Sequence, residues 1–369
     1  MSEQKKIRVG VVFGGRSGEH EVSIASARGI MAALNPSQFE VTPIGITKAG
    51  RWLTEGNPMK QLSRGNADRN GSSSLALHSG SSAPLEQIDV IFPVLHGPFG
   101  EDGTIQGMLE MAGLPYVGSG VAGSAVGMDK ILMKGIFIAA GLPVLPYVAV
   151  NRRDWEHQPD DLLDRIERQL AYPLFVKPAN MGSSVGISKC RDRDDLRTGL
   201  TAAARYDRRL LVEQGLDRPR ELEVAVLGND APQASVVGEI VPHDRYDFYD
   251  YESKYTEAQA DLLIPAPLDE PLSDEIRRLA ILAFQALDVA GLSRVDFLLD
   301  RESGGLYLNE INTMPGFTPT SMYPLLWEAS GLPYGDLLAE LIRLGLERHH
   351  ENERSHLAEG HDYPEAEAR

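Results

Sequence analysis

Apolar positions in the first fifty residues follow two rhythms. "IRVGVVFGG" (7–15) is a near-continuous apolar run ending in glycines, as in a strand buried on both faces. "EHEVSIASARGIMAALN" (19–35) spaces its apolar residues by three and four and predicts a helix, and "FEVTPIGIT" (39–47) returns to strand. A strand–helix–strand opening predicts a doubly wound α/β domain. "IDVIFPVLHG" (88–97) resumes that sheet and "TIQGMLEMAG" (104–113) supplies a short helix, whereas 57–84, rich in Ser, Gly and Asn without apolar period, reads as a mobile surface insertion.

From about 120 the pattern changes. A helical stretch rich in small residues (119–141) leads to strands at "YPLFVKP" (172–178) and "RLLVEQGL" (209–216), with a charged helix near 192–205, which predicts a smaller α+β domain. "ELEVAVLG" (221–228), "ASVVGEI" (234–240), a helix over 273–290 and strands within 294–312 predict a third domain. From Glu347 onward the chain is polar with no apolar face and reads as a disordered tail. The domain limits expected are therefore 1–120, 121–216 and 217–346, with a tail over 347–369.

At 369 residues there is room for three cores, and 42% hydrophobic with 24% charged residues is ordinary for a globular protein. A net charge of −17 argues against nucleic-acid or anionic-membrane partners. Cys190 is the only cysteine, so no intrachain disulfide forms; with no signal-peptide pattern and no apolar run near bilayer length, the expected compartment is the cytoplasm.

Four stretches carry candidate chemistry. In "LYLNEINTMPGF" (306–317), Glu310 and Asn312 share one strand face, and in "GLSRVDFLLD" (291–300) Arg294 and Asp296 do the same. If "RESGG" (301–305) closes a five-residue hairpin loop, 296 pairs with 310 and 294 with 312, and all four side chains share a face. A four-residue loop would separate the pairs unless a bulge restored them. The cluster is then either a solvated edge or, since two close carboxylates repel, a site for a hard cation.

"FVKPANMGSSVG" (175–186) sets Lys177 at a strand end before a glycine/serine turn, which is either a plain hairpin or a phosphate loop; no Walker A sequence occurs anywhere. "FGGRSGEHEVS" (13–23) lacks GxGxxG, and its Glu19 either compensates a helix dipole or holds a substrate ammonium. In "LHGPFGEDG" (95–103), His96 is either a core histidine or a substrate contact, and Glu101 and Asp102 read as caps of the following helix. "HDRYDFYDYESKYT" (243–256) is unusually aromatic for a loop: a lid, or a rigid connection.

Together these stretches, with "HGPFGEDGTIQG", "YVGSG", "MDK", "VEQG", "FYDYESKY" and "NEINTMPGFTPTSMYP", resemble the D-alanine–D-alanine ligase family of the ATP-grasp superfamily, in the family's order from 13 to 324. The resemblance implies a three-domain ATP-grasp fold, α/β and α+β, with an N-terminal doubly wound domain, ATP between the second and third domains and a lid loop at 243–259. It implies ATP-driven ligation of two D-alanines through a D-alanyl phosphate, for peptidoglycan precursors, in a homodimer.

The resemblance implies that Asp296, Glu310 and Asn312 hold two Mg²⁺ ions, with Mn²⁺ able to substitute. Lys130, Lys177 and Ser184, with Lys254 from the lid, fall at the ATP phosphates. Glu213 and Leu216 fall at the adenine hinge, Glu221 at the ribose, and Asn309 among the nucleotide contacts. Glu19 would take the first substrate's ammonium, beside His96 and in a relay with Ser183 and Tyr255. Arg294 and the Gly316 N–H would form an oxyanion site, and Ser321 and Met322 would receive the second substrate's carboxylate. Relatives that join D-alanine to D-lactate replace the lid tyrosine, so Tyr255 points to an amino-acid acceptor.

Overall fold

The computed structural model describes residues 5–63, 87–243 and 260–354, arranged as three sheets with flanking helices. The first contains β1 (Ile7–Gly14), α1 (His20–Ala33), β2 (Phe39–Ile46), β3 (Trp52–Leu53), α2 (Pro58–Ser63), β4 (Val90–Val94) and α3 (Thr104–Met111). The strand order is β3-β2-β1-β4, with β1 parallel to both β2 and β4, so the doubly wound reading holds. The turns after β1 and β4 leave the carboxyl ends of two adjacent parallel strands, the edge where open α/β sheets bind ligands. Of the expected insertion, 58–63 is a helix that buries Pro58 and Leu62; 64–84 lies outside the described residues.

The single helical stretch expected over 119–141 is two helices, α4 (Val121–Met128) and α5 (Lys130–Ala139). Asp129 breaks them: its backbone is extended (φ −87°, ψ 102°), and its carboxylate accepts from the Ile131 and Leu132 N–H groups at 3.1 Å each, an N-cap. Arg209 holds the same carboxylate at 2.6 Å.

The second sheet is antiparallel, in order β5-β8-β6-β7, from β5 (Tyr147–Asn151), β6 (Leu174–Pro178), β7 (Ser188–Cys190) and β8 (Arg209–Gln214). One face is covered by α7 (Pro159–Gln169) and α8 (Arg193–Ala203), with α6 (Arg152–His157) beside them, and these elements close a core of their own around Leu163, Val176, Leu200 and Leu210.

The third sheet, β11-β10-β9-β12-β13, is also antiparallel: β9 (Arg220–Gly228), β10 (Gln233–Pro242), β11 (Ala260–Leu263), β12 (Gly291–Leu299) and β13 (Leu306–Asn312). On one face α9 (Glu270–Ala286) and α5 pack together, Met133 and Phe137 joining Val224, Val295 and Phe297 in one cluster. Helix α9 begins before the expected Ser273 because Asp269 caps it, accepting from the Leu272 N–H at 2.9 Å. On the other face α10 (Met322–Ala329) and α11 (Tyr334–Glu353) join the first sheet, and Val9, Phe13, Leu292, Tyr323 and Leu341 share one core. The first and third units are thus fused through apolar packing, and the second stands on its own core.

Helix α11 runs past the expected break at Glu347, because Arg343 pairs with Glu347 at 3.2 Å and Asn229 donates to both the Leu344 carbonyl and the Glu347 carboxylate. Among the described residues no helix is long and apolar enough to cross a membrane.

Candidate active site

A cleft of about 1640 Å³ opens where the three sheets meet. Its floor is the β12–β13 hairpin, which does not close as a five-residue loop. Asp300 N–H donates to the Gly305 carbonyl at 2.9 Å, leaving a four-residue loop, and near the turn Leu299 pairs with Leu306. That register would send the two polar pairs to opposite faces. A bulge at Asn309, the residue skipped between Phe297↔Leu308 and Asp296↔Glu310, shifts it back, so Arg294 stands opposite Asn312 and Asp296 opposite Glu310.

Sequence reasoning missed Glu223, which pairs with Asp296 from the neighbouring strand β9. Its signal was available: Glu223 follows Glu221 at strand spacing inside a buried apolar run. Arg294 lies between these carboxylates, donating to Asp296 at 2.8 and 2.7 Å and reaching Glu223 at 3.1 Å. Burial alone would lower the guanidinium pKa, but Asp296 and Glu223 outweigh it and raise it well above its ordinary value. Arg294 is thus a counter-ion to both Asp296 and Glu223. Among the described residues no group of three or more His, Cys, Asp and Glu side chains is gathered as a metal cluster.

On the wall formed by the second sheet, Glu213 was expected at the adenine hinge. Its carboxylate is buried between two ammonium groups, Lys177 at 2.7 Å and Lys134 at 2.5 Å. The register explains this: Phe175 pairs with Glu213, placing Lys177 two residues along the adjacent strand on the same face. Burial would raise the Glu213 pKa, yet the two lysines hold it below the usual carboxylate range. Lys134 was also missed. Lys130, Met133, Lys134 and Phe137 form the buried face of α5, so the signal was a lysine at a core-facing helical position.

Beyond β6 the chain turns through a loop in which Ser183 and Ser184 both have left-handed backbones, φ 48° and 58°. Lys130 crosses to this loop and donates to the Met181 carbonyl at 2.7 Å. The Ser183 hydroxyl donates to Glu19, which stands in the turn before α1 on the first unit. Glycines make that approach possible: a Cβ on Gly97 would lie 2.8 Å from Glu19 Oε2, and one on Gly182 would lie 3.1 Å away.

His96 is buried next to Glu19. Its Nδ1 lies 2.9 Å from the Met314 carbonyl and 3.6 Å from Glu101, and its Nε2 lies 3.4 Å from the Ser26 hydroxyl. Burial would lower its pKa, but Glu101 and Glu19 outweigh that and raise it. Glu101 is not the helix cap expected of it. It is buried facing His96, its own pKa raised by burial and by Glu19, whereas Asp102, just before the N-cap Gly103, accepts from the Thr104 N–H at 3.0 Å.

After β13 the chain doubles back. Asn312 Oδ1 accepts from Met314 N–H at 3.0 Å, and the Ser321 hydroxyl accepts from Thr318 N–H at 3.0 Å, holding Gly316 and the start of α10 against the cleft. Glu19, His96, Lys130, Lys177, Ser183, Ser184, Glu213, Leu216, Glu221, Arg294, Asp296, Asn309, Glu310, Asn312, Gly316, Ser321 and Met322 all line this one cavity. Lys254 and Tyr255 lie outside the described residues.

Two antiparallel sheets closing on a lysine-bearing cleft, with a doubly wound unit supplying a carboxylate at its mouth, define the ATP-grasp class of ligase. Comparison with known proteins narrows the class. A family model described as D-ala D-ala ligase N-terminus matches residues 8–119, and one described as D-ala D-ala ligase C-terminus matches 136–343. The D-alanine–D-alanine ligase of Geobacillus thermodenitrificans is 51% identical over 359 residues, 94% of this chain and 98% of its own. That of Deinococcus radiodurans is 52% identical over 343 residues, 93% of this chain and 99% of its own. Among solved structures, the D-alanine-D-alanine ligase from Coxiella burnetii superposes with TM-score 0.78 at 37% identity, covering 95% of this chain and 97% of that one. The VanG D-Ala:D-Ser ligase from Enterococcus faecalis gives 0.80 at 33%, covering 92% and 100%. The chain belongs to the D-alanine–D-alanine ligase family.

Proposed function

We propose that this protein joins two D-alanines at the expense of ATP, releasing ADP and phosphate, and so supplies D-alanyl-D-alanine for peptidoglycan precursors. The observation that carries the reading, beyond family membership, is the Ser183–Glu19 hydrogen bond, which sets an ammonium-binding carboxylate of the first unit against the phosphate loop of the second. An amino acid held there by its ammonium presents its own carboxylate toward the lysines of the cleft.

Lys130, Lys177 and Ser184 hold the ATP phosphates, with Lys254 added to them. The chain at 213–216, ending in Leu216, lines the adenine end, Glu221 takes the ribose, and Asn309 completes the nucleotide contacts. Glu19 binds the first ammonium, with His96 beside it and Tyr255 joining the relay through Ser183. A carboxylate oxygen of the first D-alanine attacks the γ-phosphorus, the bond to the β-bridging oxygen breaks, and ADP leaves. The amine of the second D-alanine then adds to the acyl carbon and loses a proton, and phosphate departs. Positioning and charge neutralisation suffice, without an enzyme nucleophile. Arg294 and the Gly316 N–H face the tetrahedral oxyanion; comparable donors contribute about 3–4 kcal/mol. The second carboxylate sits at Ser321 and Met322, where the start of α10 offers N–H groups and a favourable dipole.

Two Mg²⁺ ions, or Mn²⁺ in their place, are assigned to Asp296, Glu310 and Asn312. The donors fit: two carboxylates and an amide oxygen on one face are hard ligands, and phosphate oxygens complete such spheres. When bound, the ions neutralise charge on the transferring phosphoryl group. The enzyme works as a homodimer in the cytoplasm.

The test is Mg²⁺-dependent ADP release with D-alanine alone, with L-alanine, and with D-alanine plus D-serine or D-lactate. Release with D-alanine and recovery of the D,D-dipeptide are expected. Silence with D-alanine but turnover in a mixture would assign a different acceptor, and turnover with D-lactate would also overturn the reading of Tyr255.

A further inference from the structure

Lys134 contacts a group that itself touches the nucleotide site, and it does so across a boundary. Helix α5 belongs to the core of the third sheet through Met133 and Phe137, whereas Glu213 and Lys177 stand on the second sheet, whose core contains no residue of α5. The Lys134–Glu213 pair therefore links the two halves that close the cleft. The lysines differ in what they can do. The Lys134 side chain is 1% exposed and its Nζ lies 2.5 Å from Glu213, so it stands as a buried partner of that carboxylate, with burial lowering its pKa against the pull of Glu213. Lys177 is 12% exposed, lines the cleft and makes the aligned hydrogen bond to the other carboxylate oxygen.

One carboxylate thus serves two ammonium groups, one of which can reach a ligand. A buried carboxylate that loses its only partner carries the full penalty of an uncompensated charge. With Lys134 behind it, Glu213 keeps a counter-ion when Lys177 turns away. Building on the nucleotide-binding reading above, we infer that Lys134 is a positioning residue for ATP: it compensates Glu213 so that Lys177 is released from that carboxylate to the phosphates. Lys134 itself touches no ligand. Its effect is on nucleotide affinity, with no direct effect on the amino-acid subsites.

The test measures Mg·ATP binding by titration calorimetry, and steady-state kinetics, on the full-length protein. Lys134→Met should weaken ATP binding and raise KM for ATP by about tenfold or more, leaving KM for D-alanine within about twofold. Lys134→Arg, which keeps the charge, should stay within about threefold of wild type. The decisive comparison is Lys134→Met/Glu213→Gln. With the carboxylate neutralised Lys177 is no longer detained, so the double variant should bind ATP more tightly than Lys134→Met alone, a rescue that a packing role would not produce. If Lys134→Met does not fold, the double variant is compared with Glu213→Gln: a difference under about threefold supports the inference, and one above about tenfold overturns it. Unchanged ATP affinity in Lys134→Met, or no rescue by Glu213→Gln, also overturns it. Calorimetry keeps the two claims separate, because wild type that binds ATP without turning over D-alanine would refute the proposed reaction and leave this comparison intact.

Discussion

Replacing Gly97 with alanine tests the Glu19 seat with one methyl group. Gly97 lies between His96 and the turn before α3, at φ 74°, and a Cβ built there would stand 2.8 Å from Glu19 Oε2. Two costs follow. The left-handed backbone penalises any L side chain by about 1–2 kcal/mol, which lowers thermal stability. The carboxylate must also retreat about 0.6 Å, from 2.8 Å to an ordinary 3.4 Å contact, and it cannot do so freely because Ser183 holds its other oxygen. A displacement of about 1 Å at a positioning group can cost a hundredfold, so the expected loss is about tenfold in KM for the first D-alanine, with KM for ATP nearly unchanged. Gly141→Ala separates the two costs. That residue has φ 75° with nothing within 4 Å of its Cβ, so it carries the strain without the collision. The assays are thermal unfolding and initial rates against D-alanine for both variants. Both should lose similar stability and only Gly97→Ala should lose substrate affinity; equal KM values would refute the placement of the substrate ammonium at Glu19.

Glu310→Gln removes one of the two carboxylates assigned to metal and should abolish turnover, and near-normal activity at saturating Mg²⁺ would sink that assignment. Asp129→Ala loses the cap of α5 and the partner of Arg209, which should lower stability by about 2–3 kcal/mol in denaturant unfolding; a loss below about 0.5 kcal/mol would show that the cap does not define the break. Glu213 has a folded pKa lowered from 4.5, so its ion pairs stabilise the protein above that value and the contribution disappears as pH falls through the folded pKa. The stability gap between wild type and Glu213→Gln should therefore narrow below about pH 4.5, and a gap constant from pH 7 to 3 would contradict the buried pairing.

Much of this molecule is legible in its primary structure because the relevant physics is local. Strand and helix periods located the main strands of the first and third units with helices α1, α3 and α9, though not the two C-terminal helices, and residue spacing along β12 and along β13 put Arg294 with Asp296 and Glu310 with Asn312. Hairpin closure was a harder matter. Loop length decides the register of a hairpin, but whether an extra residue bulges out further along depends on what packs around the strands, so the shift at Asn309 appears only in the folded sheet. The family motifs supplied the functional assignments; periodicity alone left the same residues open to blander readings.

What only the tertiary structure decided are the partners of buried charges and the grouping of the cores. Glu101 follows a turn and precedes a helix, the position of a cap, yet it faces His96 because the loop folds inward beneath Glu19. Asp129 and Arg209, 80 residues apart, meet only when the start of α5 comes against β8. Glu213 is compensated by Lys134 from one unit and Lys177 from another, a pairing that its place at a strand end does not announce. A sequence displays the period with which side chains leave one helix or strand, and that period states which face is buried. It does not state what stands opposite that face, since this is set by packing between segments far apart in the chain, where apolar burial and charge compensation are resolved together.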